Sequence, residues 1–275
     1  MALIAITREM GSLGKDVAEG LSQALGIPVV YHEIVDHLAD RMRVRKSHVE
    51  RLLDGSAGLF QRLTADKTSL SIFSADEVVN FAMQGGGAVV RGWGATHLLR
   101  QVPHAVCLRV CAPFEVRRQR MMERLGTDEL DKVSEEIRDN DEAHGAIMRR
   151  HFALDWTDPA HYDVVFNTER VNVSECIDKA AALVKSAGFS ETEDSRRRLQ
   201  DLALTWRVRA ALRMSPRTRD LRIVVTAERD RVTLEGVVDS DEQRTAVSEV
   251  AAAVAGVRVL DDKLRATEAL RSRFN

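Results

Sequence analysis

The chain has 275 residues, 44% hydrophobic and 30% charged, a composition that excludes disorder and leaves room for one large domain and a small one. Forty basic residues against forty-two acidic leave a formal net charge of -2, so no global attraction to nucleic acid is expected and no nucleic-acid partner with it. Cys107, Cys111 and Cys176 are odd in number and lack paired Cys-x-x-Cys spacing, so buried reduced thiols fit better than a disulfide framework or a zinc site.

The first element is a short apolar run, Leu3 to Ile6, of the kind a buried parallel strand requires, and Val17, Leu21 and Leu25 then recur at helical spacing. Between them lies Thr7-Arg8-Glu9-Met10-Gly11-Ser12-Leu13-Gly14-Lys15-Asp16. Gly14 and Lys15 fall where the phosphate-binding pattern G-x-x-x-x-G-K-[ST] has them, while Glu9 stands at the first glycine and Asp16 at the hydroxyl position. A strand running through such a turn into a helix aims the N–H groups of Ser12 to Lys15, with the Lys15 ammonium, at a phosphate. Gly11, Ser12, Leu13, Gly14, Lys15 and Asp16 are therefore the candidate ATP-binding residues. The competing reading is a glycine turn with an exposed lysine. Asp16 would either ligate Mg²⁺ or repel the phosphates, and Arg8 would either bind phosphate or pair with Glu9 or a more distant acid. Charged residues arrive too early for a secretory segment and no apolar run nears the roughly 20 residues of a membrane span, so a cytoplasmic location is expected.

Pro28 to Tyr31 reads as a second strand. Residues 32 to 84 form a charged helical insertion, either a flap over a second substrate or a solvated hairpin. Within it His32-Glu33-Ile34-Val35-Asp36-His37 nearly spells H-E-x-x-H, but the second histidine comes one place late and the two rings cannot share a helical face as that zinc site demands. Further apolar runs, Ala88 to Val90, Ala105 to Val110 and Asp163 to Phe166, alternate with helical spacing over Phe114 to Leu125, Asp128 to His151 and Val173 to Val184. That alternation predicts a parallel sheet covered on both faces.

The polar stretch Gly188 to Ser195 lacks periodicity and reads as a linker, and the triple arginine Arg196 to Arg198 as a solvated charge run. After it come a helix over Leu199 to Leu212, alternation at Leu221, Ile223 and Val225 and at Val232 and Leu234, an alanine-rich helix over Ala246 to Val254, and a strand opening at Val257 and Val259. The predicted organisation is a nucleotide-handling domain over 1–188, a linker over 189–198 and an α-β-β-α-β unit over 199–269.

Two separated segments together resemble one family. The run Thr7 to Ala18 resembles the S-R-E-Y-G-S-G-G-R-E-I-A opening of the cytidylate kinase-like proteins. The later Asp155-Trp156-Thr157-Asp158-Pro159 and Tyr162-Asp163-Val164-Val165-Phe166-Asn167-Thr168 are similar to its W-x-D-P-x-x-Y-D-L-V-x-N-T signature. This resemblance spans roughly residues 3 to 187. It implies an α/β fold of the P-loop NTPase type, a three-layer parallel sheet with a helical insertion and an arginine-bearing lid. It further implies phosphoryl transfer from ATP, with Mg²⁺, to a nucleoside monophosphate, CMP or dCMP. Lys15, Arg138, Arg149 and Arg150 would be catalytic, and Arg8, Tyr31, Glu33, Arg91 and Asp141 would bind the acceptor. Against the family pattern, His144 stands where an arginine is usual, Ile147 where an aromatic is common, and Trp93 takes an arginine's place in Val89 to Ala95. These departures open the alternative of a catalytically weak nucleotide sensor.

The C-terminal unit resembles the BON domain in Val232-Thr233-Leu234-Glu235-Gly236-Val237-Val238 and Val254-Ala255-Gly256-Val257-Arg258-Val259. That resemblance implies a small α+β module binding a protein or lipid partner, in a regulatory or tethering role; in a third reading it is the main actor and the larger domain its scaffold.

Overall fold

Leu3, Ile4, Ala5 and Ile6 point alternately to opposite faces of one strand, yet all four are fully buried. A strand of this kind has to lie inside a sheet covered on both sides. It is β1 (Ala2–Arg8), the middle strand of an all-parallel sheet in a computed structural model that describes residues 1–49, 67–92 and 94–267. The other strands are β2 (Val29–Val30), β3 (Gly87–Arg91), β4 (Ala105–Cys111) and β5 (Val164–Asn167), in the order β2-β3-β1-β4-β5. Trp93 and residues 50–66 of the insertion lie outside the described residues.

On one face Ile4, Ile6, Leu108 and Val110 pack with α1 (Gly14–Leu25) and α7 (Val173–Val184). On the other, Leu3, Ala5, Ala105 and Cys107 meet α2 (His32–Met42), α3 (Lys67–Met83) and a short helix not foreseen from the sequence, α4 (Ala95–Leu99). Register places Ile6 beside Arg91 and Leu108, and Thr7 beside Arg109. Polar side chains, Arg91, Thr7 and Arg109, thus enter within one residue of the same level on three strands, toward the carboxyl ends, where ligands bind in open parallel sheets. Above that edge α5 (Phe114–Leu125) and α6 (Leu130–Phe152) pair through Met121, Val133 and Ile137, and α6 is the segment the resemblance makes a lid.

Helix α8 (Glu193–Met214) begins inside the stretch expected as a linker, so 193–198 are helical. Its start is a capping box in which Thr192 and Ser195 satisfy one another's backbone N–H groups. Leu199, Leu202, Ala203 and Ala210 join the core that contains α3, whereas Leu204, Val208 and Leu212 join the core of the C-terminal unit. That unit adds β6 (Val224–Glu228), β7 (Arg231–Val238), α9 (Asp241–Ala252) and β8 (Val259–Ala266). Its sheet is ordered β6-β7-β8, antiparallel in the first pair and parallel in the second, giving the α-β-β-α-β sequence. Among the described residues no helix is long and apolar enough to cross a membrane.

Candidate active site

The turn between β1 and α1 is built on tight backbone contacts. Gly11 has φ +78, and a Cβ there would lie 2.7 Å from the Arg117 carbonyl oxygen. A Cβ on Gly14 would lie 2.5 Å from Cβ of Arg8. Leu13 takes the left-handed conformation at φ 61 and no side chain caps the helix it precedes. The first N–H groups of α1, on Gly14, Lys15 and Asp16, have no earlier helical turn to bond and face outward, the arrangement that receives an anion. Ser12 is fully buried; its hydroxyl and its N–H both donate to the Glu9 carbonyl, at 2.7 and 3.2 Å, and its own carbonyl accepts from Oγ1 of Thr168 at 2.9 Å. Ser12 therefore shapes the loop, and its hydroxyl is turned away from a ligand. Lys15 is exposed, with Nζ 3.5 Å from Glu19, a surface pair weak enough to yield to a phosphate.

Glu9, at the first glycine position, is held by two arginines. Oε1 accepts from Nη2 of Arg109 at 2.6 Å, and Oε2 accepts from the Ala112 N–H at 3.2 Å and lies 3.4 Å from Nε of Arg117. Arg117 in turn donates to the Met10 carbonyl at 3.3 Å and to both carboxylate oxygens of Asp141, at 3.2 and 2.8 Å. The acid in the loop is thus an anchor. Arg109 and Arg117 were not singled out in the sequence, although a lone charge inside the apolar run Ala105 to Val110 was a visible signal for the first.

The rim is assembled from β3, α2 and the lid. The Arg91 guanidinium stacks over the Tyr31 ring at 4.1 Å, and Glu33 accepts the Tyr31 N–H at 3.2 Å, so these three acceptor-site candidates come together. Asp141 faces Arg117. Arg138 lies over the Phe114 ring at 4.9 Å. Arg149 sits about three helical turns beyond Arg138 on the same stripe of α6, and Arg150 is rotated about 100° away from it. The Trp156 ring gathers this edge, with His144 edge-on at 4.3 Å and Arg109 over it at 5.4 Å. Burial, with Arg8 and Arg109 adding to it, pushes His144 down to about 4, so the ring is neutral at pH 7. Among the described residues five buried side-chain polar atoms have no hydrogen-bond partner, and Nε of Arg91, Nε of Arg109 and Nε2 of His144 are three of them. Each such atom costs about 1–3 kcal/mol if nothing serves it; His144 and Arg109 share the Trp156 ring, whereas Arg91 stands apart on Tyr31.

The second motif is a brace. Tyr162 donates its hydroxyl to the Trp156 carbonyl at 2.6 Å, Asp158 caps a turn by accepting the Ala160 N–H at 2.8 Å, and Asp163 accepts the Cys107 N–H at 2.7 Å. These bonds fasten the loop carrying Trp156 to β4. Burial raises Tyr162 to about 12, so its hydroxyl keeps the proton it donates.

For a divalent cation the donor set is thin. Asp16 is exposed at the first turn of α1, the Ser12 hydroxyl is engaged, and no group of three or more His, Cys, Asp or Glu among the described residues could hold a metal ion. This fits Mg²⁺ arriving on the phosphates, which needs only one or two protein carboxylates, and does not fit a resident ion.

The profile of the cytidylate kinase-like family matches residues 3–170, and that of the BON domain residues 200–268. A solved structure of an uncharacterized protein from Eubacterium ventriosum aligns with a TM-score of 0.53 at 20% identity, covering 68% of this chain and 99% of that one. A shikimate kinase from Bacteroides thetaiotaomicron aligns at 0.43 and 13% identity, covering 67% and 99% of the two chains. The YorR protein of Bacillus subtilis, in complex with phosphorylated GDP, aligns at 0.40 and 12%, covering 69% and 99%. No curated protein matches the chain. The first of these likenesses speaks to fold alone; the family match, with the parallel sheet and its strand, loop and helix opening, gives the P-loop kinase type expected from the sequence.

Proposed function

Since the chain belongs to the cytidylate kinase-like family and carries a BON domain, we propose that it transfers the γ-phosphoryl group of ATP to a nucleoside monophosphate, CMP or dCMP, in the cytoplasm. The observation that carries this reading is the loop of Gly11 to Asp16 after a buried parallel strand, leading into a helix whose N-terminus no side chain caps and whose first turn carries Lys15. Phosphoryl transfer asks a protein mainly to position and neutralise charge. Gly11, Ser12 and Leu13 set the loop, while the N–H groups of Gly14, Lys15 and Asp16 and the Lys15 ammonium hold the donor's phosphates. Arg138 and Arg149 supply forked donors from one stripe of the lid to the transferring group, with Arg150 at the flank. Arg8, Arg91, Tyr31 and Glu33 bound the acceptor, Arg91 and Tyr31 acting as one stacked unit. Mg²⁺, when bound, neutralises phosphate charge, with Asp16 as the protein carboxylate nearest to hand. The BON domain binds a protein or lipid partner in a regulatory role.

A second reading, a nucleotide sensor of little catalytic power, draws on the neutral His144 in place of a lid arginine. One comparison decides between the two: wild type and Lys15→Met with ATP-Mg²⁺ and each common nucleoside monophosphate. A kinase phosphorylates CMP or dCMP and loses about 10²-fold or more of that rate in the variant. ATP binding with no transfer to any acceptor would establish the sensor.

A further inference from the structure

The lid helix and the donor loop share one buried guanidinium. Arg117, on α5, is 6% exposed. Its two terminal nitrogens donate to the two oxygens of Asp141 on α6, one of them also to the Met10 carbonyl in the loop, while Nε donates to the Ala112 carbonyl at 3.1 Å and lies 3.4 Å from Glu9. The Arg117 backbone carbonyl also closes off the space beside Gly11. We infer that Arg117 and Asp141 form a latch that ties the position of the lid to the conformation of the loop, so that a phosphate ligand seated in the loop also fixes the lid. The inference rests on the nucleotide reading for the identity of that ligand.

The physical case is geometric first. A forked guanidinium meeting both oxygens of a carboxylate restricts the angle as well as the distance between their backbones, which a single contact does not. The charges then make the unit indivisible. Glu9, Arg109, Arg117 and Asp141 form two acids against two bases, and removing Asp141 leaves a buried guanidinium sharing Glu9 with Arg109. Phe114 extends the effect, since its ring carries Arg117 at 5.7 Å and the lid's Arg138 at 4.9 Å. An acceptor ligand role for Asp141 is the competing assignment, and it predicts no effect on the loop. Arg117 and Asp141 are positioning residues in this scheme.

Hydrogen exchange on the full chain tests it, with ATP-Mg²⁺ as the probe and calorimetry confirming saturation. In wild type, ATP should slow exchange across residues 130–152 by about 5–30-fold, the size of an ordinary coupling between two sites. Asp141→Asn and Arg117→Lys, saturated with ATP, should lose that protection, and Asp141→Glu should recover part of it. Without ligand, Asp141→Asn should speed exchange over residues 9–16, a change that a purely local role would not produce. Lid protection by ATP that persists in Asp141→Asn, or is missing from wild type that binds ATP, overturns the latch. A wild type that binds no ATP sinks the nucleotide reading instead, and the ligand-free exchange over 9–16 then decides the latch alone.

Discussion

His144 shows what a single substitution does to a charged edge. The ring stacks edge-on against Trp156 at 4.3 Å with Nε2 buried and unpartnered. Burial, then the neighbouring Arg8 and Arg109, hold it at about 4 rather than the usual 6.5. Between those two values the unfolded chain takes up a proton that the folded chain refuses, so the associated stability is complete above pH 6.5 and is lost as pH falls towards 4. His97 and His104 are lowered by burial too, so the wild-type slope is a composite. His144→Phe keeps a ring against Trp156 and removes one titration. Its urea midpoint should fall less between pH 7 and 5 than that of wild type; equal slopes would mean that His144 titrates like a solvated histidine.

Helix α8 carries the next scale, because its cap is wired into the neighbouring core. Thr192 accepts the Ser195 N–H at 3.1 Å and Ser195 accepts the Thr192 N–H at 2.9 Å. The Ser195 hydroxyl also meets Nδ1 of His104 at 2.8 Å, and His104 is 1% exposed with Nε2 unpartnered. Thr192→Ala should cost about 1 kcal/mol, an ordinary cap, whereas Ser195→Ala strips a buried imidazole of its remaining partner and should cost about 2–3 kcal/mol. Equal losses in urea unfolding would show that the contact with His104 contributes nothing. The start of α8 was not legible because its polar residues were read as a linker, although Arg197 and Arg198 pair with Glu193 and Asp194 at four-residue spacing, a helical signal in itself. By contrast Phe114 to Leu125 and Val173 to Val184 came out of periodicity with the observed ends, since each helix has one apolar face on a core. Strands β1, β3 and β4 were legible because burial on both sides demands unbroken apolar runs, whereas the alternation at Leu221 and Ile223 falls before β6. Helix α4, five residues long, is too short to display a period. In the site, the loop announced itself locally, while Glu9 meets Arg109 and Arg117 about a hundred positions away, where no spacing rule reaches.

At the scale of the molecule, α8 decides whether the chain is two units or one. A linker over 189–198 would predict a detachable C-terminal unit and an undisturbed sheet domain after its removal. The helix favours one unit over two, for it is apolar on both flanks. Leu199, Leu202, Ala203 and Ala210 cover the core of α3, while Leu204, Val208 and Leu212 close the C-terminal core. Arg213 reaches Ser69 at the start of α3 at 2.8 Å. Burying two leucines and two alanines is worth about 4–6 kcal/mol at roughly 1.5–3 kcal/mol per large side chain. That is a sizeable part of the 5–15 kcal/mol or so by which a domain is stable. A chain ending at Gly188 should therefore melt about 10–20 °C below the full chain or fail to stay in solution. A chain ending at Arg219, which retains the helix over α3, should recover much of that loss. By the same argument the full chain should unfold in one calorimetric transition. Two separate transitions, or a 1–188 fragment that melts within a few degrees of the parent, would show that the helix belongs to the C-terminal unit alone. Because α3 packs in one core with α2, which follows directly on Tyr31 and carries Glu33, a shared transition would also mean that the BON domain stands on a scaffold continuous with the proposed acceptor site.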